Sequence, residues 1–514
     1  VTSPPDSSPP TLDPNSDKLD ADVLKIAGVV VLAAIMSILD VTVVSVAIPT
    51  FEHVFETTYA LAAWSMTGYT LALATVIPLT GWAADRFGTK RLFITALVLF
   101  VAGSVLCSFA WDITSLIGFR VLQGLGGGML MPLGMTIMTH AAGPQRIGRV
   151  MAVLGVPMLL GPISGPILGG WLIESASWHW IFLINIPIGA IALIAAVFIL
   201  PSDKPSPSES FDFLGMLLLS PGLALFLFGV SSTPNTGTVA SARVLIPAIT
   251  GTVLVIAFVF HAFRTTHPLI DLHLFKNRDL TIAVVSMLLF AIAFFGAGIL
   301  IPSYFLQVRG ESTLHAGLLL APQGLGAMIT MPIAGRLVDK IGPGKIVLFG
   351  ITLLAIGMAA FTQVSLDTPI LFLIGALFVM GLGMGCTMMP IMTAALATLT
   401  HQQVARGSTL MNIVNQIAGS IGTATMSVVL TTLIKQNAFS GPAIASQSDP
   451  SIAEKLPPGA VEEGLRHAGD SFGNTFIVAL VLIVLTLIPA SLLPRRKRPA
   501  SDVDAAAVPQ VVVH

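Results

Sequence analysis

The chain has 514 residues, 54% of them hydrophobic and only 10% charged, with a net charge of -1. A soluble domain carries about 25% charged residues, so most of this chain belongs in lipid, and the fold class is all-α integral membrane. The near-zero charge excludes nucleic acid as a partner, and the two cysteines, Cys107 and Cys386, lie in apolar runs that give no disulfide framework.

The opening stretch VTSPPDSSPPTLDPNSDKLDAD is rich in Pro, Ser and Asp. Such a segment buries too little surface to order itself, and it lacks the basic start and apolar stretch of a cleaved signal. A disordered cytoplasmic tail is expected over 1–24, and another over 495–514. Between them, a helix needs about 20 apolar residues to cross a hydrocarbon core of about 30 Å. That criterion predicts fourteen spans: 25–50, 60–80, 92–111, 113–138, 147–172, 179–200, 211–231, 243–263, 280–302, 314–334, 346–364, 369–391, 404–433 and 471–493.

Orientation follows from Lys and Arg, which concentrate on the cytoplasmic side. With the N-terminus inside, the outer segments hold only Arg243, Arg309, Lys435, Lys455 and Arg466. The remaining basic residues fall inside, apart from Arg120, which lies within a span. Both termini are therefore expected in the cytoplasm.

Predicted helix 1 carries Asp40 and predicted helix 4 carries Arg120, the two charges that lie deep. A charge at the centre of a span costs roughly 2.5–3.5 kcal/mol even on insertion-based scales. At about 1.5 Å per residue, Asp40 sits roughly 22 Å up from the inner face and Arg120 roughly 20 Å. The depths agree, so the two can pair. Such a pair either serves only to neutralise itself or couples to protons. An adjacent Arg keeps a carboxylate ionised while desolvation favours the neutral acid, so a change of shape can decide between them.

After predicted helix 2 come Gly81, Asp85, Arg86 and Gly88, with Arg91 just beyond. Gly335, Asp339, Lys340 and Gly342 repeat that spacing after predicted helix 10. Two copies in matched positions indicate a duplicated six-helix unit, with predicted helices 7 and 8 inserted. The plan is 6 + 2 + 6: one bundle over 25–200, two inserted helices and their loops over 201–279, and a second bundle over 280–494 with an outer loop at 434–470.

In predicted helix 4, Gly124, Gly126, Gly127 and Gly128 are not followed by Lys-Ser or Lys-Thr, and no phosphate-binding loop occurs elsewhere. ATP hydrolysis has no site, nor has metal or hydrolytic chemistry, so no cofactor is expected and the chain is not read as an enzyme. In predicted helix 5, Gly161, Gly165 and Gly169 share a face, with Gly170 adjoining and Pro162 and Pro166 on the neighbouring face. This pattern suits a packing seam or a hinge. Gln123, Asn412, Asn415 and Gln416 are polar residues within spans, and the last three share one face of predicted helix 13. With Met129 and Met388, from two Met-rich helices, they are candidates to line a substrate cavity.

Several stretches resemble a known family. LDVTVVSVAIP (Leu39 to Pro49), GWAADRFGTKRLF (Gly81 to Phe93), RVLQGLGGG (Arg120 to Gly128), GPISGPILGG (Gly161 to Gly170), WHWIFLINIPIG (Trp178 to Gly189) and HPLIDLHLFKNR (His267 to Arg278) are similar to signatures of the 14-spanner drug:proton antiporters of the EmrB/QacA type, within the major facilitator superfamily. The resemblance implies two six-helix halves rocking about a central cavity, in the inner membrane of a bacterium. It implies proton relay through Arg120, and a cytoplasmic charge lock of Asp85, Arg86 and Arg91 against the start of predicted helix 13 near Arg406. The implied partners are small amphipathic substrates, protons and membrane lipid, with room for a periplasmic adaptor or lipoprotein; a monomer is expected. Export of a lipid, siderophore or metabolite, or a receptor role without transport, are the rival readings. His179 stands where the family usually has Arg, and predicted helix 13 lacks the interior acid of some relatives.

Overall fold

The computed structural model describes residues 20–142, 146–202, 211–233, 238–400, 403–447 and 450–494. Both expected tails lie outside these residues, save that the chain is already helical from Ala21. The side chains of Pro162 and Pro166 lie outside them too.

Among the described residues there are helices and no strands. The long helices are α1 (Ala21–Val54), α2 (Trp64–Phe87), α3 (Thr89–Ser108), α4 (Ile113–Ala142), α5 (Ile147–Ser175), α6 (Trp180–Ile199), α7 (Phe213–Ser231), α8 (Ala242–Arg264), α9 (Arg278–Gln307), α10 (Thr313–Ile341), α11 (Pro343–Phe361), α12 (Ile370–Leu396), α13 (Val404–Ile434) and α14 (Ala460–Ser491). Twelve of them, among the described residues, are long and apolar enough to cross a membrane. The spans expected over 60–80 and 147–172 correspond to α2 and α5, which are not among the twelve. In α2 the apolar core is diluted by Ser65, Thr67, Tyr69 and Thr70 towards one end and by Asp85 and Arg86 at the other. Both helices still pack lengthwise on their neighbours, α2 on α4 and α5 on α1.

A chain of contacts fixes which helix ends lie together. Asp20, before α1, pairs with Arg146, before α5, at 2.9 Å. The start of α5 meets the end of α10 through Asp339, and the start of α11 bonds to Pro494, beyond α14, where the Gly344 N–H donates to its carbonyl at 2.9 Å. Both ends of the described chain therefore lie at one end of the bundle, called here the terminal end.

The helix pairings recur. α2 packs on α4 as α10 does on α12, α3 on α4 as α11 on α12, and α1 on α5 as α9 on α13. α7 and α8 pack on each other, and α7 also touches α2 and α13. The short turns after α2 and α10 match in backbone shape, with Gly88 at φ 87° and Gly342 at φ 87°. That left-handed conformation is open to glycine at little steric cost.

One boundary differs clearly from expectation. The outer loop expected over 434–470 contains short helices at Ser440–Ser446 and Pro450–Ala453, and α14 begins at Ala460. Glu462, Glu463, Arg466, His467 and Asp470 make this stretch read as loop. They sit on a helix that projects beyond its apolar stretch, with two acids in its first turn, where the helix dipole favours them.

Candidate functional site

The deep site is built on the glycines of α4. A Cβ on Gly124 would stand 2.5 Å from the Tyr69 carbonyl, and one on Gly128 would stand 2.8 Å from that of Leu73, both on α2. One on Gly126 would stand 2.6 Å from the Phe100 backbone on α3. Without side chains, α4 lies backbone to backbone against both neighbours. Gly103 of α3 does the same from the other side, since a Cβ there would reach within 2.6 Å of Gln123.

This close packing gathers the polar residues one turn away. Asp40 of α1 is 1% exposed and Arg120 of α4 is 0% exposed. Arg120 Nη1 donates to Asp40 Oδ2 at 2.5 Å and to Gln123 Oε1 at 2.7 Å. Arg120 Nε donates to the Ser65 carbonyl at 3.1 Å. Its guanidinium lies 4.2 Å from the centroid of the Tyr69 ring, a cation–π contact that desolvation makes worth about 2 kcal/mol. The other carboxylate oxygen, Asp40 Oδ1, accepts from Gln123 Nε2 at 2.8 Å and from Asn185 Nδ2 at 3.2 Å. Both amides also donate to Ser104 Oγ, at 2.6 and 3.0 Å. Five helices thus converge on one carboxylate. Breaking such a pair by removing one partner typically costs 3–5 kcal/mol.

The pair expected from depth alone is brought together. Gln123, expected to face a cavity, is instead wholly buried in this network. Ser65, Tyr69 and Ser104 were not singled out from sequence, and Asn185 enters there only inside the stretch Trp178 to Gly189. Isolated small polar residues in apolar helices carry little signal until their neighbours are known.

A second constellation joins the two halves at the terminal end. Arg406 Nε of α13 lies 3.4 Å from Asp85 Oδ2 of α2, and a Cβ on Gly81 would stand 3.4 Å from the Arg406 backbone. The matching residues of the repeat meet α5. Asp339 accepts from the backbone N–H of Gly148 at 2.9 Å and of Arg149 at 3.3 Å. These are unpaired donors of the first turn of α5, so Asp339 caps that helix from across the molecule. A Cβ on Gly335 would stand 2.7 Å from the Gly148 carbonyl, so α5 and α10 also cross backbone to backbone. Arg86, Arg91 and Lys340 are exposed beside these contacts.

Deeper in, Thr136 and Ser408 hydroxyls lie 3.1 Å apart between α4 and α13, and Asn412 Nδ2 reaches Met135 Sδ at 3.5 Å. Asn415 and Gln416 are half-buried farther along α13, and Gln416 adjoins Ala74 and Ile77 of α2 and Leu223 and Leu227 of α7. Met129 and Met388 are buried.

The glycine stripe of α5 faces α1. A Cβ on Gly161 would overlap Ile38, one on Gly165 would overlap Thr42, and one on Gly169 would stand 3.2 Å from Val43; Gly170 faces open space. Thr42 Oγ1 donates to the Gly161 carbonyl at 3.2 Å. The stripe therefore holds α5 against the helix that carries Asp40. His179, before α6, stacks on Trp178 with ring centroids 3.9 Å apart. Among the described residues no cluster of His, Cys, Asp and Glu could hold a metal ion.

The family model for the Major Facilitator Superfamily matches residues 30–423. A "Multidrug resistance protein B homolog" of Mycobacterium tuberculosis (strain ATCC 25618 / H37Rv) is 51% identical over 498 residues, which cover 94% of this chain and 92% of the relative. "Multidrug export protein EmrB" of Haemophilus influenzae is 33% identical over 396 residues, covering 76% of this chain and 78% of that protein. Among solved structures, the human organic anion transporter MFSD10 (TETRAN) aligns with a TM-score of 0.59 at 15% identity, covering 90% of this chain and 100% of that chain. A double Trp mutant of XylE aligns with a TM-score of 0.60 at 15% identity, covering 94% and 98%.

Proposed function

The chain belongs to the major facilitator superfamily, in its drug:proton antiporter family, and from that premise we propose that it exports amphipathic, mostly apolar compounds in exchange for protons by alternating access. In this reading it crosses a bacterial inner membrane fourteen times, with α1–α6 and α9–α14 as the two moving halves and α7–α8 inserted between them. The distribution of Lys and Arg supports a cytoplasmic terminal end. The contacts of Asp85, Asp339, Gly148 and Gly335 then correspond to a state closed towards the cytoplasm.

The observation that carries the proposal is the buried ion pair of Asp40 and Arg120. A charge at that depth is expensive, and proton coupling is a task that requires an acid there. Proton uptake at Asp40 would release Arg120 from its counter-ion and alter the balance between the two halves. One proton moving down a step of one pH unit supplies about 1.4 kcal/mol, enough for about a tenfold gradient of substrate. Exchange for a neutral compound would draw also on the membrane potential, about 2.3 kcal/mol per 100 mV. The uncharged polar face of α13, with Asn412, Asn415 and Gln416, supports neutral or weakly charged apolar cargo over doubly charged cations.

Everted vesicles with an imposed pH gradient test the proposal through uptake of ethidium by the wild-type protein and by Asp40→Asn. Proton-driven uptake is expected to vanish in the variant while membrane insertion persists. Undiminished uptake would reject the coupling role of Asp40.

A further inference from the structure

Asp40 receives only donors: Arg120 on one oxygen, Gln123 and Asn185 on the other. All three present hydrogens to the carboxylate, and none offers it an acceptor. A protonated Asp40 carries an O–H that must itself find an acceptor, because a buried donor left without one costs about 1–3 kcal/mol.

The candidate acceptors differ in how much they are already committed. Gln123 Oε1 accepts from Arg120 Nη1 at 2.7 Å, and Cys107 Sγ points to it at 3.7 Å. Turning the Gln123 amide over would therefore break its bond to Arg120. Ser104 Oγ already accepts from both amides. Asn185 Oδ1 has no hydrogen-bond partner among the described residues, while Asn185 Nδ2 serves both Asp40 and Ser104. A half-turn of the Asn185 amide exchanges Oδ1 and Nδ2. It presents a carbonyl oxygen to Asp40 and leaves the Gln123–Arg120 bond intact. The Ser104 hydroxyl, a donor as well as an acceptor, can then donate to the amide it previously accepted from.

We propose that Asn185 is the positioning residue that sets the proton affinity of Asp40, donating to the carboxylate and turning over to accept from the carboxylic acid. The proposal rests on the coupling role of Asp40 given above. The proton arrives from solvent and is held on Asp40 Oδ1; Arg120 stays cationic throughout. The titratable and charged groups around Asp40, among the described residues, are Arg120 from α4, Tyr69 from α2 and Cys107 from α3. From α6 the partner is the uncharged Asn185, and from α5 the nearby group is the Gly161 backbone, bonded to Thr42. Asn185 stands at the start of the longer segment of α6, Asn185–Ile199.

The test is a pH titration of the full chain in lipid nanodiscs, reading the protonated-carboxyl stretch by attenuated-total-reflection infrared spectroscopy. The Asp40 band is identified by its loss in Asp40→Asn. Asn185→Leu removes one of three donors from the carboxylate but the one uncommitted acceptor from the acid, so the midpoint is expected to fall by about one pH unit, a tenfold loss in proton affinity. Ser104→Ala, which releases the Asn185 and Gln123 amides from Ser104 Oγ and leaves the Asp40 side chain itself unchanged, is expected to ease the turn of Asn185 and move the midpoint the opposite way by less. It decides the question if Asn185→Leu does not fold. An Asp40 band with the wild-type midpoint in both variants would overturn the role of Asn185 alone. A protein in which Asp40 shows no titrating band at all would overturn the coupling proposal and this one together.

Discussion

Arg149 Nε of α5 lies 3.5 Å from Asp339 Oδ2 of α10, and the pair reproduces, on the opposite side of the molecule, the approach of Arg406 to Asp85. In both copies a glycine four residues before the acid, Gly81 or Gly335, brings the backbones together. The two copies are not equally buried. Asp339 and Arg149 side chains are 6% and 10% exposed, against 29% and 17% for Asp85 and Arg406. Exposure weakens an ion pair through screening, so the α5–α10 contact, with its two backbone bonds, is the stronger of the two.

Asp339→Ala is therefore expected to open the terminal end more readily than Asp85→Ala. The lost cap on α5 is worth about 0.5–2 kcal/mol, and the exposed pair about 0–1 kcal/mol. Spin labels at the terminal ends of α5 and α10, read by double electron–electron resonance, check this. A larger open population in Asp85→Ala than in Asp339→Ala would contradict the ranking.

Gly103→Ala is expected to destabilise the protein and stop transport, although it adds a single carbon. The new Cβ would collide with Gln123 and push α4 away from α3, carrying Arg120 with it. Overpacking of this kind costs typically about 1–3 kcal/mol. Gly118→Ala on α4 is the control, because a Cβ there meets nothing within 4 Å. Thermal unfolding in detergent and ethidium uptake should separate the two variants, with Gly118→Ala indistinguishable from wild type.

Arg120→Lys keeps the charge but is expected to reduce proton-driven uptake by about tenfold or more. An ammonium cannot reach Asp40, Gln123 and the Ser65 carbonyl together, nor lie flat over Tyr69, and these contacts depend on the planar guanidinium. The measurement is uptake in everted vesicles at matched expression. Wild-type rates would show that charge alone suffices at this position.

Asp40 and Arg120 were legible in the sequence because charges are rare in apolar helices, and because depth can be counted from a helix end. The duplicated Gly/Asp turn was legible through its spacing, and its two copies have the same backbone shape. Ser65, Ser104, Tyr69 and Asn185 were not legible as a group. Each is an ordinary residue on a different helix, and only the packing of glycines in α4 reveals that they meet. The partner of Asp339 was likewise hidden, since nothing local in α10 points to Gly148 and Arg149. The start of α14 was missed because hydropathy reports the bilayer and not the helix, so charged turns beyond the lipid read as loop.

α7 rests on both α2 and α13, and Leu223 and Leu227 line a small gap there together with Ala74, Ile77, Ile413, Gln416 and Ile417. If α2 and α13 move apart as the proposed cycle requires, α7 cannot keep its grip on both. Such a movement would shear one of these faces, and aliphatic surfaces, whose attraction is weak atom by atom and undirected, slide at small cost. In the proposed cycle the inserted pair would then act as a gasket, filling the space between the moving halves without tying them together.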